Sequence, residues 1–72
     1  MKQTKFSLNG QDFIQLDQLI KLLGLAESGA QAHQLIDSGL VKVDGETEMR
    51  RRRKLRDGMF VEYGLYRIQI EK

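Results

Sequence analysis

The chain has 72 residues, 12 basic and 10 acidic side chains, one histidine and no cysteine. That length sits near the lower limit for a self-sufficient hydrophobic core, so a single domain over 1–72 is expected. No disulfide or thiolate–metal staple is available, one imidazole cannot build a polyhistidine zinc site, and no apolar run approaches the roughly 20 residues that span a bilayer.

The N-terminal MKQTKFSLNG carries charge but lacks the apolar stretch of a secretory signal, which makes a cytoplasmic protein the expectation. Residues 5–14 read as a hairpin. Asn9-Gly10 supplies the two positive-φ positions of a tight type I′ turn. Closure there would set Leu8 opposite Gln11 and Phe6 opposite Phe13. From Leu16 the period changes, with Leu16, Leu19, Ile20 and Leu23 on one helical face. Asp17 suits the first turn of that helix, and Gly24 stops it just past the last periodic residue. About two turns long, it must pack to persist.

Ser28 is placed to cap a second helix, with Ala32, Leu35 and Ile36 inward and Gly39 as its stop. Leu40 is then free to fold back on the core. Val41 and Val43 alternate on a short strand that turns at Asp44-Gly45, where the dipeptide has a sufficient structural role. Asp57-Gly58 turns into Met59–Tyr63. A further turn at Gly64-Leu65 pairs Tyr63 with Tyr66, Val61 with Ile68 and Met59 with Ile70, all on one face. The fold class is α+β: two short helices (about 16–23 and 28–38) packed on a small antiparallel sheet with N- and C-terminal hairpins.

Charge is concentrated in Arg50-Arg51-Arg52-Arg53-Lys54-Leu55-Arg56, which holds six of the 12 basic residues. Six remain against all 10 acidic ones, so the rest of the chain is formally −4. Lying between turn signals in a folded frame, the run reads as a surface loop or strand edge. Its guanidinium groups suit bidentate phosphate contacts and stacking on bases. The start of the second helix, Ser28-Gly29, offers free amides and minimal side chains to a phosphate. Gln31 and His33 lie on the outer face one turn on, and Lys42 faces outward between the two valines. A solvated basic loop and an ordinary helix cap would account for each feature taken alone.

Taken together, the residues from Leu16 to Tyr63 resemble the RNA-binding domain named after small-subunit ribosomal protein S-four, whose helix–loop–helix–hairpin core is the alpha-L motif. The matching residues are Leu16-Asp17, Leu19, Gly24-Leu25, Ser28, Ala32, Leu35-Ile36, Gly39, Val41, Val43-Asp44-Gly45 and Gly58. The complete layout is closest to small stand-alone bacterial members of that family. The resemblance implies an RNA-binding module; a chain this short, with no nucleophile elbow, phosphate-binding loop or metal-ligand spacing, is expected to have no catalytic activity, cofactor or metal. Its implied contact residues are Ser28, Gly29, Gln31, His33, Lys42, Arg50, Arg51, Arg52, Arg53, Lys54 and Arg56. Gly29 and His33 stand where other members place Arg and Lys, which shifts the burden onto residues 50–56. The implied partner is structured RNA, ribosomal RNA by analogy, bound by a monomer that does not engage membranes. The alternative is a protein-interaction adaptor or accessory subunit, docking the basic loop on an acidic partner or assisting an RNA-modifying enzyme.

Overall fold

The computed structural model describes residues 2–72. In chain order the elements are β1 (Lys2–Ser7), β2 (Ile14–Gln15), α1 (Leu16–Leu22), α2 (Gly29–Asp37), β3 (Val41–Val43), β4 (Glu46–Thr47), β5 (Lys54–Leu55), β6 (Phe60–Tyr63) and β7 (Tyr66–Glu71). Five strands form one sheet in the order β1-β7-β6-β3-β4, and β2 with β5 forms a separate two-stranded ribbon. The helices and the inward face of the sheet share one core. Its fully buried members include Leu16, Leu19 and Ile20 of α1, Ala32 and Ile36 of α2, and Val41, Val61, Ile68 and Ile70 of the sheet. Leu55 of the ribbon closes it.

The C-terminal hairpin has the expected register, with Tyr63 opposite Tyr66 and Val61 opposite Ile68. The Ile70 N–H donates to the Met59 carbonyl at 2.8 Å, which continues the same ladder past the end of β6. Both helices end as the glycines predict, since Gly24 and Gly39 adopt φ of 76° and 80°. At the Asp44-Gly45 turn both residues have positive φ. Asp44 does more than turn the chain. Its Oδ1 accepts from the Phe60 N–H at 3.0 Å, and its own N–H donates to the Phe60 carbonyl at 2.9 Å.

Three expectations are corrected. The N-terminal hairpin does not form, although its turn does: the Gln11 N–H donates to the Leu8 carbonyl at 3.1 Å. Instead β1 lies parallel to β7 from Lys2↔Tyr66 to Ser7↔Glu71, so the sheet is mixed rather than antiparallel. The reason is competition for a long free edge. β6 occupies one side of β7, and the other side offers β1 six paired residues and a place for Phe6 beside Ile70. The second arm of the expected hairpin pairs elsewhere, with Ile14↔Leu55 and Gln15↔Lys54, so Phe6 and Phe13 never meet. Third, Leu40 does not return to the core and is 56% exposed. Val41 points inward at the first position of β3, and strand alternation then turns its neighbour out.

The helical face of α1 makes a direct test. Leu16 is fully buried and Leu22 is 67% exposed on the same helix. Leu16→Ala should lower the unfolding free energy by about 2–5 kcal/mol. Leu22→Ala should change it by about 0.5 kcal/mol or less. Urea titrations followed by circular dichroism measure both, and equal losses would contradict the assigned face.

Candidate nucleic-acid interface

A helix of seven residues leaves its first N–H groups without intrahelical partners. Gln15, at the N-cap of α1, supplies no side-chain bond. The basic run fills the gap with its backbone: the Arg53 carbonyl accepts from the Leu16 N–H at 2.9 Å, and the Arg51 carbonyl accepts from the Asp17 N–H at 3.0 Å. A turn closed by the Arg53 N–H on the Arg50 carbonyl, at 3.3 Å, shapes the loop for this. The run is therefore ordered along its main chain, and its side chains leave from fixed positions.

Those side chains divide into two sets. Arg50 forks onto Glu48, with Nε at 2.9 Å from Oε2 and Nη2 at 3.0 Å from Oε1, while its own N–H also donates to Oε2 at 3.0 Å. Arg51 forks onto Asp37 in the last turn of α2, with contacts of 3.1 and 2.5 Å. Arg53 is half-buried, and its Nε lies 3.7 Å from Glu48 Oε1, too far for a hydrogen bond. Arg52, Lys54 and Arg56 have no carboxylate partner among the described residues. All three are exposed: Lys54 and Arg56 flank the buried Leu55 and share the side opposite it, while Arg52 lies in the turn just before them.

The β2–β5 pairing presents Phe13 to the same side. Lys54 Nζ lies 4.9 Å from the centre of its ring and Arg56 Cζ lies 5.5 Å away, both within cation–π reach. An open groove of about 590 Å³ runs past these cations, lined by Arg50, Arg52, Arg53, Lys54, Arg56 and Met59.

The remaining expected contacts are scattered. Ser28 caps α2, its Oγ accepting from the Gln31 N–H at 3.2 Å. Gln31 Oε1 in turn accepts from the Glu27 N–H at 2.6 Å, so this amide is committed to holding the helix start. His33 Nε2 is hydrogen-bonded to Asp17 Oδ2 at 3.0 Å, which ties α2 to α1 beneath the Arg turn. Lys42 is exposed between the inward Val41 and Val43, on the sheet face turned away from the helices. The run meets α2 at Asp37, eight residues beyond Gly29 and roughly 12 Å along the axis at 1.5 Å per residue. Gly29 itself is half-exposed.

Phe13, Glu48 and Asp37 were not legible as parts of this site. The signal for Glu48 is local: a single carboxylate sits two residues before the run begins. For Phe13 and Asp37 it is not, because their partners are 43 and 14 residues away.

This is the architecture of an S4 domain: residues 6–71 match that family, and the chain belongs to it. Among individual proteins it is similar to YbcJ of Escherichia coli (strain K12) and YbcJ of Shigella flexneri. Each is 43% identical over 65 residues, covering 90% of this chain and 93% of the relative. The solution structure of E. coli YbcJ aligns with a TM-score of 0.72 at 41% identity, over 94% of this chain and 86% of that one. It is described as revealing an alfaL motif involved in RNA-binding.

Glu48 offers a test of how the loop is held. The hydrogen bonds from Arg50 hold its carboxyl below the ordinary value of 4.5, against the opposing effect of burial. A depressed folded-state value means that the carboxylate stabilises the fold above the unfolded value and that this contribution is lost as pH falls through the folded one. Glu48→Gln should therefore cost about 1–2 kcal/mol near neutral pH. The difference from the parent protein should shrink below about pH 4. Thermal melts across that range check both, and a pH-independent difference would count against the ion pair.

Proposed function

We propose that this chain is a single RNA-binding module that acts by binding alone, its affinity coming from Arg52 in the turn before β5 and from Lys54 and Arg56 on the outer side of the β2–β5 ribbon. One observation carries this reading: these three cations share one groove and have no carboxylate partner among the described residues, whereas Arg50 and Arg51 are each forked onto one. An unpaired cation is free to exchange condensed counterions for phosphate contacts. A paired one must first give up its carboxylate. The alfaL motif named for the similar YbcJ structure supports RNA as the polyanion.

The start of α2 is the weaker second contact. Its first-turn N–H groups at Gly29 and Ala30 suit a phosphate, but the acidic Glu27 stands only two residues before Gly29. Gln31 and His33 serve α2 first, as cap and as partner of Asp17. Structured RNA is the proposed ligand, with ribosomal RNA suggested by family analogy. A second reading, an accessory subunit with a protein partner, draws support from Leu40 and Leu65, 56% and 75% exposed. Both line a groove with Tyr63 and Tyr66 beside the β6–β7 turn, at the end of β6 opposite Met59.

Salt dependence tests the main reading. Three phosphates neutralised on a duplex stem give a slope of about −3 for log K against log salt. Joint replacement of Arg52, Lys54 and Arg56 by Gln should bring that slope toward zero without changing the melting temperature. Arg51→Gln should lower the melting temperature and leave the slope within about one unit. An unchanged slope in the triple variant would sink the assignment.

A further inference from the structure

The same ribbon face also carries a group that phosphate binding does not need. Ile14 and Leu55 point into the core, so Phe13, Gln15, Lys54 and Arg56 are left together on the outside. Phe13 is only half-buried, and its cover is the pair of cations rather than apolar side chains. The ring also borders a second groove of about 520 Å³, which takes in Gln15 and Gln18 and the turn at Gly10-Gln11-Asp12. The cationic groove and this polar one meet at the Phe13–Lys54–Arg56 contact.

We infer that this junction seats one unpaired RNA nucleotide, its base stacked on Phe13 and its phosphate held by Lys54 and Arg56. A nucleotide has this same division, a flat apolar-faced base beside an anion. Lys54 and Arg56, drawn from the ring to a phosphate, would uncover the ring face at the moment a base could replace them. Gln15 and Gln18 each carry a donor and an acceptor, which suits the edge of any base without choosing among them. A base inside a duplex has no free face to offer an aromatic ring, so the preferred RNA has an unpaired nucleotide next to its stem. This inference rests on the reading that the chain binds RNA.

Two RNA hairpins with the same stem make the probe, one blunt and one with a single-stranded oligoadenylate tail. The parent protein should bind the tailed hairpin about tenfold more tightly, as one stacked base provides. Phe13→Leu should abolish that difference, the two hairpins then binding with equal affinity. Phe13→Trp should restore it. That tryptophan would be the only one in the chain, and its emission should be quenched by the tailed hairpin alone. Equal parent affinity for the two hairpins would overturn the inference and leave RNA binding intact. So would an equal loss of both in Phe13→Leu, which would reduce Phe13 to a support for the cations. Should Phe13→Leu fail to fold, the quenching comparison decides alone. Failure to bind either hairpin would remove the RNA reading itself.

Discussion

Two backbone hydrogen bonds, from Leu16 and Asp17 to the carbonyls of Arg53 and Arg51, hold the most charged part of the chain against its shortest helix. Each side answers a deficiency in the other. Seven residues are too few for α1 to persist alone, and its N-cap residue makes no side-chain bond. The four consecutive arginines would repel one another and favour a spread of conformations were their main chain not fixed. With both bonds made, α1 gains its cap and the run gains a definite shape. His33 strengthens the joint by binding Asp17, which stands at the same helix start.

Once the main chain is fixed, position decides what each cation does. Near the start of the run Glu48 and Asp37 are within reach, so Arg50 and Arg51 become internal fasteners. Further on the segment joins β2 and becomes a strand edge, and its alternation takes over. Leu55 turns inward, while Lys54 and Arg56 turn outward over Phe13. A run that is nearly uniform in composition thus performs two tasks, separated by whether a carboxylate or an aromatic ring stands opposite. Formal charge overstates the cationic surface accordingly.

The helices and the C-terminal hairpin were legible because their signals are local. Ser28 and Gly39 bracket one helix, and the Gly64-Leu65 turn places Val61 beside Ile68 from sequence spacing alone. The first fifteen residues misled for the same reason. Asn9-Gly10 is a true turn, but a turn specifies only the direction of the next residues and not which strand will take them. Parallel pairing of β1 with β7 and the ribbon pairing of Ile14 with Leu55 are long-range contacts with no local marker. The site suffered similarly: the basic run was plain, whereas the acid that holds it and the ring that faces it are visible only after folding.

The parallel seat of β1 has a consequence for how the chain acquires its shape. Lys2 lies beside Tyr66, across 64 residues of sequence, so β1 pairs with a strand made long after it. During synthesis β1 has no partner until β7 has emerged, and closing that long loop is a slow, entropy-limited step. The exposed strand meanwhile carries Lys2 and Lys5, charges of the kind that keep an unpaired edge from adding to a neighbouring chain. Completion of the sheet thus waits on β7, and both strands of the β2–β5 ribbon are made before the strand that seats the β1 edge.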